Sequence, residues 1–314
     1  MSLTILSPGP LTTVQDAGRF GYMCSGIGRS GVMDAAAYRA ANDLVGNRRG
    51  EAVLESTLLG PTLRFDRPCA IALTGADMDA RLDDQPVARY ACVSVQAGQV
   101  LSMKFAASGV RGYLAVRGGI DVPPVLGSRS TNLKCRIGGW QGRCLAAGDV
   151  LPIGPDDGCR KAASKPLPVP EYPSEIAVRA VPGPQAEMFT EAGRAAFFSR
   201  TYTVSPDSDR MGIRLSGPTI ASVRGTDIVS DGIVFGSIQV SGNGLPIILM
   251  ADHQTTGGYA KIATVVSGDL PLLAQARPGT AVRFVQVDVE AVQAAGRANP
   301  LHKWKEVLLH GLHR

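Results

Sequence analysis

A chain of 314 residues is long enough for two domains with substantial cores, and its 45% hydrophobic content excludes a disordered polymer. The net charge of +5, from 32 Lys and Arg against 27 Asp and Glu, is modest and scattered, as in Arg48-Arg49 and Arg160-Lys161; sparse aromatics do not interleave with it, which argues against nucleic-acid binding. No apolar run reaches membrane-spanning length and no signal peptide opens the chain, so a cytoplasmic protein without membrane engagement is expected.

In chain order, "LTILSPGPLTTVQDAGRFGY" reads as strand, turn and loop. A helix follows in "MDAAAYRAANDLVGN", with Asp34 as its cap and Gly46 as its left-handed stop; Tyr38, Ala41, Leu44 and Val45 share one face. Short strands follow in "AIALTG", "VLSMKF" and "YLAVRGG", and "CLAAGDVLPI" closes the first half. Residues 155–174 are Pro-rich and charged without apolar period, which predicts a linker. "IAVRAVPGPQAEMF" then begins again with a strand, and Gly183-Pro184 is expected to open a helix. "LLGPTLRF" (58–65) and "LSGPTIAS" (215–222) echo one another, as do several later segments in the same order, which suggests two copies of one β-rich unit. The expected organisation is a domain over 1–154, a linker over 155–174, a second domain over 175–287 and a helical tail over 288–314 in which "HKWKEVLLHGLH" is amphipathic.

Several motifs are weaker than they look. "GIGRSG" (26–31) has the spacing of a dinucleotide loop, but the helix begins after it with a carboxylate and no βαβ pattern follows. "SMKF" (102–105) faintly resembles a biotin-accepting site, yet it sits in a strand pattern, so no covalently attached biotin is expected and Lys104 reads as an exposed residue. No Gly-Lys dipeptide exists to form a Walker A loop. Six cysteines without a CxxC pair, and histidines confined mostly to the last dozen or so residues, leave no zinc spacing, so no metal site is expected.

Two polar segments carry more. In "TTVQDAGRFGY" (12–22), Gln15, Asp16 and Arg19 crowd one loop; they form either an Asp–Arg pair that holds a turn or an anion- and amide-binding loop, and taken alone they favour the turn. In "ILMADHQTTGGYAKIATVV" (248–266), two apolar strand-like runs bracket Asp252, His253, Gln254, Thr255, Thr256 and the pair Gly257-Gly258, followed by Tyr259 and Lys261. A plain hairpin needs far fewer polar groups. So many at the end of a rigid strand point to binding chemistry.

These segments, with "SGVMDAAAYRAANDLVGN", "LESTLLGPTLRF", "YLAVRGGIDVPPVLGSRST", "RMGIRLSGP", "SDGIVFGSIQV" and "DLPLLAQARPG", resemble the carboxyltransferase subdomain A/B family from residue 3 to about 287. That family holds the second allophanate hydrolase subunit, the carboxyltransferase region of urea carboxylase, KipA and the C-type subunit of bacterial 5-oxoprolinase. The chain departs from the family pattern in lacking a proline in 26–31, and at Asp231, Phe235, Ser241, His253 and Ala260. The resemblance implies a mainly β fold of two cyclophilin-like β-barrel domains related by a pseudo-twofold. It implies as partner a KipI-like protein, the B-type subunit of 5-oxoprolinase, together with a third, A-type subunit, and room for a homo-oligomer. For the 5-oxoprolinase members it implies ATP, with Mg2+, held by this chain or its partner, driving lactam opening to glutamate in a hydrolase subunit inactive alone.

With the resemblance, Asp252, Gln254 and Lys261 are the catalytic candidates. Gln15, Asp16, Arg19, Arg210, Gln239, Thr255, Thr256, Gly257, Gly258 and Tyr259 are the substrate- and phosphate-binding ones. Arg210 or Lys261 would neutralise an anion, Gln254 and the two threonines would donate to an amide or phosphate, and the Gly257-Gly258 amides would form a nest. Asp252 would orient a neighbour or act as a base. Biotin-dependent carboxyl transfer and a KipA-like regulatory role without turnover are the alternatives.

Overall fold

The computed structural model describes residues 2–298 and is mainly β, with four α-helices among the described residues. The chain packs as two units, residues 1–22 with 29–170, and Met23–Gly28 with the chain from Glu171 onward.

The first unit contains strands Ser2–Ser7 (β1), Thr12–Gln15 (β2), Val53–Thr57 (β3), Thr62–Phe65 (β4), Cys69–Asp77 (β5), Arg81–Leu82 (β6), Gln85–Pro86 (β7), Cys92–Val95 (β8), Val100–Ser102 (β9), Ser108–Val116 (β10) and Val150–Pro152 (β11). They form a six-stranded sheet in the order β11-β1-β4-β9-β6-β7 and a five-stranded sheet in the order β2-β3-β10-β5-β8. One apolar core takes side chains from both sheets: Leu3, Ile5, Leu63, Phe65 and Leu101 from the first, Leu54, Ile71, Leu73 and Leu114 from the second. On the other face of the five-stranded sheet lies helix α1, Ala35–Val45. Its Tyr38, Ala41, Leu44 and Val45 pack on Val53, Ala72, Tyr113 and Ala115. The helix has the expected ends. Asp34 Oδ1 accepts from Ala36 N and Ala37 N at 2.9 Å. Gly46 sits at φ 75°, where a Cβ would be strained. The stretch expected as a linker is laid along this unit as far as 170, with Arg160 N, Ala163 N and Leu167 N donating to Gly46 O, Leu44 O and Tyr90 O.

The second unit contains Glu175–Pro182 (β12), Tyr202–Val204 (β13), Gly212–Ser216 (β14), Asp227–Gly232 (β15), Ser237–Val240 (β16), Pro246–Leu249 (β17), Thr256–Tyr259 (β18), Lys261–Val265 (β19) and Ala281–Gln286 (β20). Seven of them close a barrel in the order β12-β19-β16-β17-β14-β13-β20; β15 and β18 pair only with each other. The barrel closes through a parallel pairing of β12 with β20, Glu175 opposite Ala281 through Ala180 opposite Gln286. Helix α2, Glu191–Ser199, stacks Phe197 on Phe284 of β20 with ring centroids 4.4 Å apart.

Gly183-Pro184 does not open this helix. A short 3-10 turn, Ala186–Met188, follows it, and α2 begins only at Glu191 because Thr190 Oγ1 accepts from Gly193 N at 2.9 Å and caps it. Helices α3 (Leu270–Ala274) and α4 (Val289–Ala298) complete the unit. The "HKWKEVLLHGLH" segment lies outside the described residues. No described helix is long and apolar enough to cross a membrane.

Candidate functional site

In the second unit, eight of the expected residues fall within one short stretch of chain. Residues 252–255 form the turn after β17, and Thr256–Tyr259 is not loop but β18, paired antiparallel with β15 through Asp231 opposite Gly257 and Gly232 opposite Thr256. This two-stranded ribbon is tied to the barrel by two expected site residues. Lys261 Nζ donates to Asp231 Oδ2 at 2.7 Å, and Gln239 Nε2 donates to the carbonyl of Tyr259 at 3.1 Å.

The Lys261 side chain is only 4% exposed, whereas that of Asp231 is 50% exposed. The ammonium carries three donors and Asp231 is the acceptor it has, so one buried cation faces one solvent-touched carboxylate. Gln185 completes the arrangement: its Nε2 donates to Asp231 Oδ2 and its Oε1 accepts from Lys261 N, both at 3.2 Å. The Lys261 hydrogen bond, then those from Gly232 N and Gln185, hold the Asp231 carboxyl below the usual carboxylate range.

Arg210 and Asp252 face each other. Arg210 Nε donates to Asp252 Oδ2 at 2.8 Å and Nη2 donates to Oδ1 at 3.3 Å, while Asp252 N donates to Arg210 O at 2.9 Å. Asp252 is thus a counter-ion of the Arg210 guanidinium. His253 Nδ1 donates to Gln254 O at 2.7 Å and shapes the turn. The Gln254 amide and the Thr255 and Thr256 hydroxyls carry no hydrogen bond to any described residue, which leaves three sets of polar atoms for an incoming group.

The glycine pair does not form the expected nest. Neither Gly257 nor Gly258 has positive φ; both lie in extended β18. The reason for glycine at 257 is close approach, since a Cβ there would stand 2.6 Å from Ile233 Cδ1, 2.8 Å from Gln239 Nε2 and 3.3 Å from Gln254 Nε2. The Tyr259 side chain is partly exposed at the far end of the ribbon.

In the first unit, Gln15, Asp16 and Arg19 gather around residues 128–131. The Asp16 carboxylate accepts from Gly18 N (2.8 Å), Ser128 Oγ (2.7 Å), Ser130 Oγ (2.5 Å) and Arg129 N (2.6 Å). With four donors it pins the loop. Arg19 is 1% exposed; Nε and Nη2 donate to Val125 O and Ser130 O at 3.0 Å, and Nη1 has no hydrogen-bond partner. Burial pulls its pKa below the usual value, opposed by the nearby Asp16 and Cys135. Gln15 Nε2 donates to Thr13 Oγ1 and Thr131 O, and Gln15 Oε1 is buried without a partner. No Asp16–Arg19 ion pair forms, so the pair expected to hold the turn is replaced by separate bonds to 125–130.

Sequence reasoning missed Gln185 as part of the Lys261 cluster, and Ser128 and Ser130 as the partners of Asp16. Gln185 lies 76 positions from Lys261, and only the β12–β19 pairing, Pro182 opposite Ala263, brings them together.

The family model for the carboxyltransferase domain, subdomain A and B, matches residues 25–286. The chain belongs to that family. Its relatives include the C subunit of 5-oxoprolinase from Escherichia coli (strain K12), 43% identical over 288 residues that make up 92% of each chain. The C subunit of 5-oxoprolinase from Haemophilus influenzae is 40% identical over 300 residues, 96% of each chain. Among solved structures, K. lactis urea amidolyase superimposes with a TM-score of 0.89 at 31% identity, over 98% of this chain but 20% of that one. Family membership and the mainly β architecture thus agree with the resemblance read from the motifs.

Proposed function

We propose that the chain is the C-type subunit of an ATP-dependent 5-oxoprolinase and works with companion subunits, one a KipI-like B-type chain and the other of A type. The observation that carries this reading is end-to-end likeness. Two relatives named as the C subunit of 5-oxoprolinase align over at least 92% of both chains, while urea amidolyase contains this fold as a fifth of a longer polypeptide.

A five-membered lactam resists water because its amide resonance must be broken. Transfer of the ATP γ-phosphoryl group to the lactam oxygen leaves ADP and an imidate phosphate. Water adds to its carbon, and the C–N bond of that adduct then breaks, the nitrogen leaving as the amine. The acyl phosphate that remains is hydrolysed by a second water to phosphate and the side-chain carboxylate of glutamate. Such steps depend on positioning and charge stabilisation. In this reading Lys261 meets an anionic group of the substrate or ATP, which competes with Asp231 for the ammonium. Gln254, Thr255 and Thr256 supply donors to the amide or phosphate. Arg210, held by Asp252, keeps the turn in place, and Gln15 and Arg19 offer a second set of polar atoms on the first unit. ATP and Mg2+ enter as substrate, bound here or by the companion chain.

The test is the chain purified with its companion subunits, assayed for ATP hydrolysis with and without 5-oxoproline. Stimulation by 5-oxoproline with matching glutamate release is expected. Turnover that requires a biotinylated protein would move the assignment to carboxyl transfer, and a tight complex without turnover would move it to regulatory binding.

A further inference from the structure

The second unit has a cleft of about 320 Å³ between α2 and the barrel wall, lined by Pro182, Ala186, Ala195, Phe198 and Ile262 with Glu191, Arg194 and Gln286 at its polar side. The floor is apolar, and Ile262 is buried. The rim carries one charge of each sign, three positions apart on α2. Side chains at that spacing are neighbours, about 5–6 Å apart at Cβ, within reach of one another when opposite in charge. Here they do not pair. The Arg194 guanidinium and the Glu191 carboxylate each lack a hydrogen-bond or ion-pair partner among the described residues, and so does the Gln286 amide.

An unpaired cation and an unpaired anion side by side above an apolar floor complement a ligand that carries both charges on one carbon and an apolar substituent. We infer that this cleft is a binding site for a free α-amino acid with an aliphatic or aromatic side chain. Arg194 takes the carboxylate, for which its planar fork is suited. Glu191 takes the ammonium. The side chain lies on Phe198, Ile262, Ala186 and Pro182. The size agrees: 320 Å³ is at the small end of ligand sites and ample for one amino acid. The site needs no companion chain and makes no use of Lys261, so it stands apart from the proposed reaction.

Calorimetric or NMR titration of the full chain with L-leucine and L-phenylalanine tests it. Saturable binding is expected with Kd of about 1 mM or tighter. Arg194→Ala and Glu191→Ala should each weaken it by about tenfold or more, a loss of roughly 1.4 kcal/mol. Both positions are exposed, so thermal stability should change little, with at most a small loss for Glu191 in the first turn of α2. Leucinamide, which lacks the carboxylate, and N-acetyl-leucine, which lacks the ammonium, should bind at least about tenfold more weakly to the wild-type chain. No saturation by either amino acid up to about 20 mM would overturn the proposal, as would unaltered affinity in both variants. Equal binding of L-glutamate and L-leucine would overturn the assignment of the apolar floor.

Discussion

Arg210 and Asp252 are joined twice, by guanidinium nitrogens at 2.8 and 3.3 Å from the carboxylate and by Asp252 N at 2.9 Å from the Arg210 carbonyl. Both side chains are largely shielded, at 5% and 17% exposure. Breaking such a pair from one side strands a charge. Asp252→Asn should cost about 3–5 kcal/mol in denaturant unfolding, and Arg210→Met paired with Asp252→Leu should lie closer to wild type than Asp252→Asn alone. A double variant as unstable as the sum of the singles would mean the two residues act separately.

The Lys261–Asp231 contact predicts a pH response. The folded-state pKa of Asp231 is depressed, chiefly by the Lys261 hydrogen bond. Its contribution is therefore present above the unfolded carboxylate value of about 3.9 and is lost as pH falls through the lower folded value. NMR titration of the Asp231 side chain should give a midpoint below the ordinary 3.8, and Lys261→Met should raise it toward that value. Protection of the Thr256–Tyr259 amides against exchange, relative to the intrinsic rate at each pH, should fall over the same acidic window as the ribbon loosens.

Glycines 257 and 258 should respond differently to the same change. A Cβ at 257 meets Ile233 at 2.6 Å, whereas at 258 the nearest atom is Ile228 O at 3.4 Å, an ordinary contact. Gly257→Ala should destabilise by about 1–3 kcal/mol and displace the ribbon; Gly258→Ala should stay within about 0.5 kcal/mol of wild type. Thermal unfolding of the two variants separates them, and equal effects would refute the close-approach argument.

Asp16 predicts a stability loss in the first unit. Asp16→Asn turns one carboxylate oxygen into an NH2 donor, which meets the Arg129 N–H in the place of Oδ2, or the Gly18 N–H and the two serine hydroxyls in the place of Oδ1. Roughly 1.5–3 kcal/mol should be lost. Proteolysis should then find residues 125–131 more readily, since these carry the carbonyls that hold Arg19.

Much of this was legible because it is local. The ends of α1 depend on Asp34 and Gly46, each acting within a few residues of the helix it bounds. The polar turn at 252–255 stood out against its apolar flanks. Barrel closure was not legible from neighbours, because it depends on a parallel pairing between Glu175–Pro182 and Ala281–Gln286, about a hundred residues apart. The reason for Gly257 was open for a different cause. Glycine serves positive φ and close approach equally well, and only the position of Ile233 tells which applies. Arg210 and Asp252 each looked available because sequence spacing does not reveal a partner 42 positions away.

The most direct test is reconstitution of the companion subunits with wild-type chain, Lys261→Ala or Gln254→Ala, measuring ATP-dependent release of glutamate from 5-oxoproline and assembly in parallel. The account predicts assembled complexes in which each variant loses about 100-fold or more of the glutamate release. Full release by both variants would contradict it.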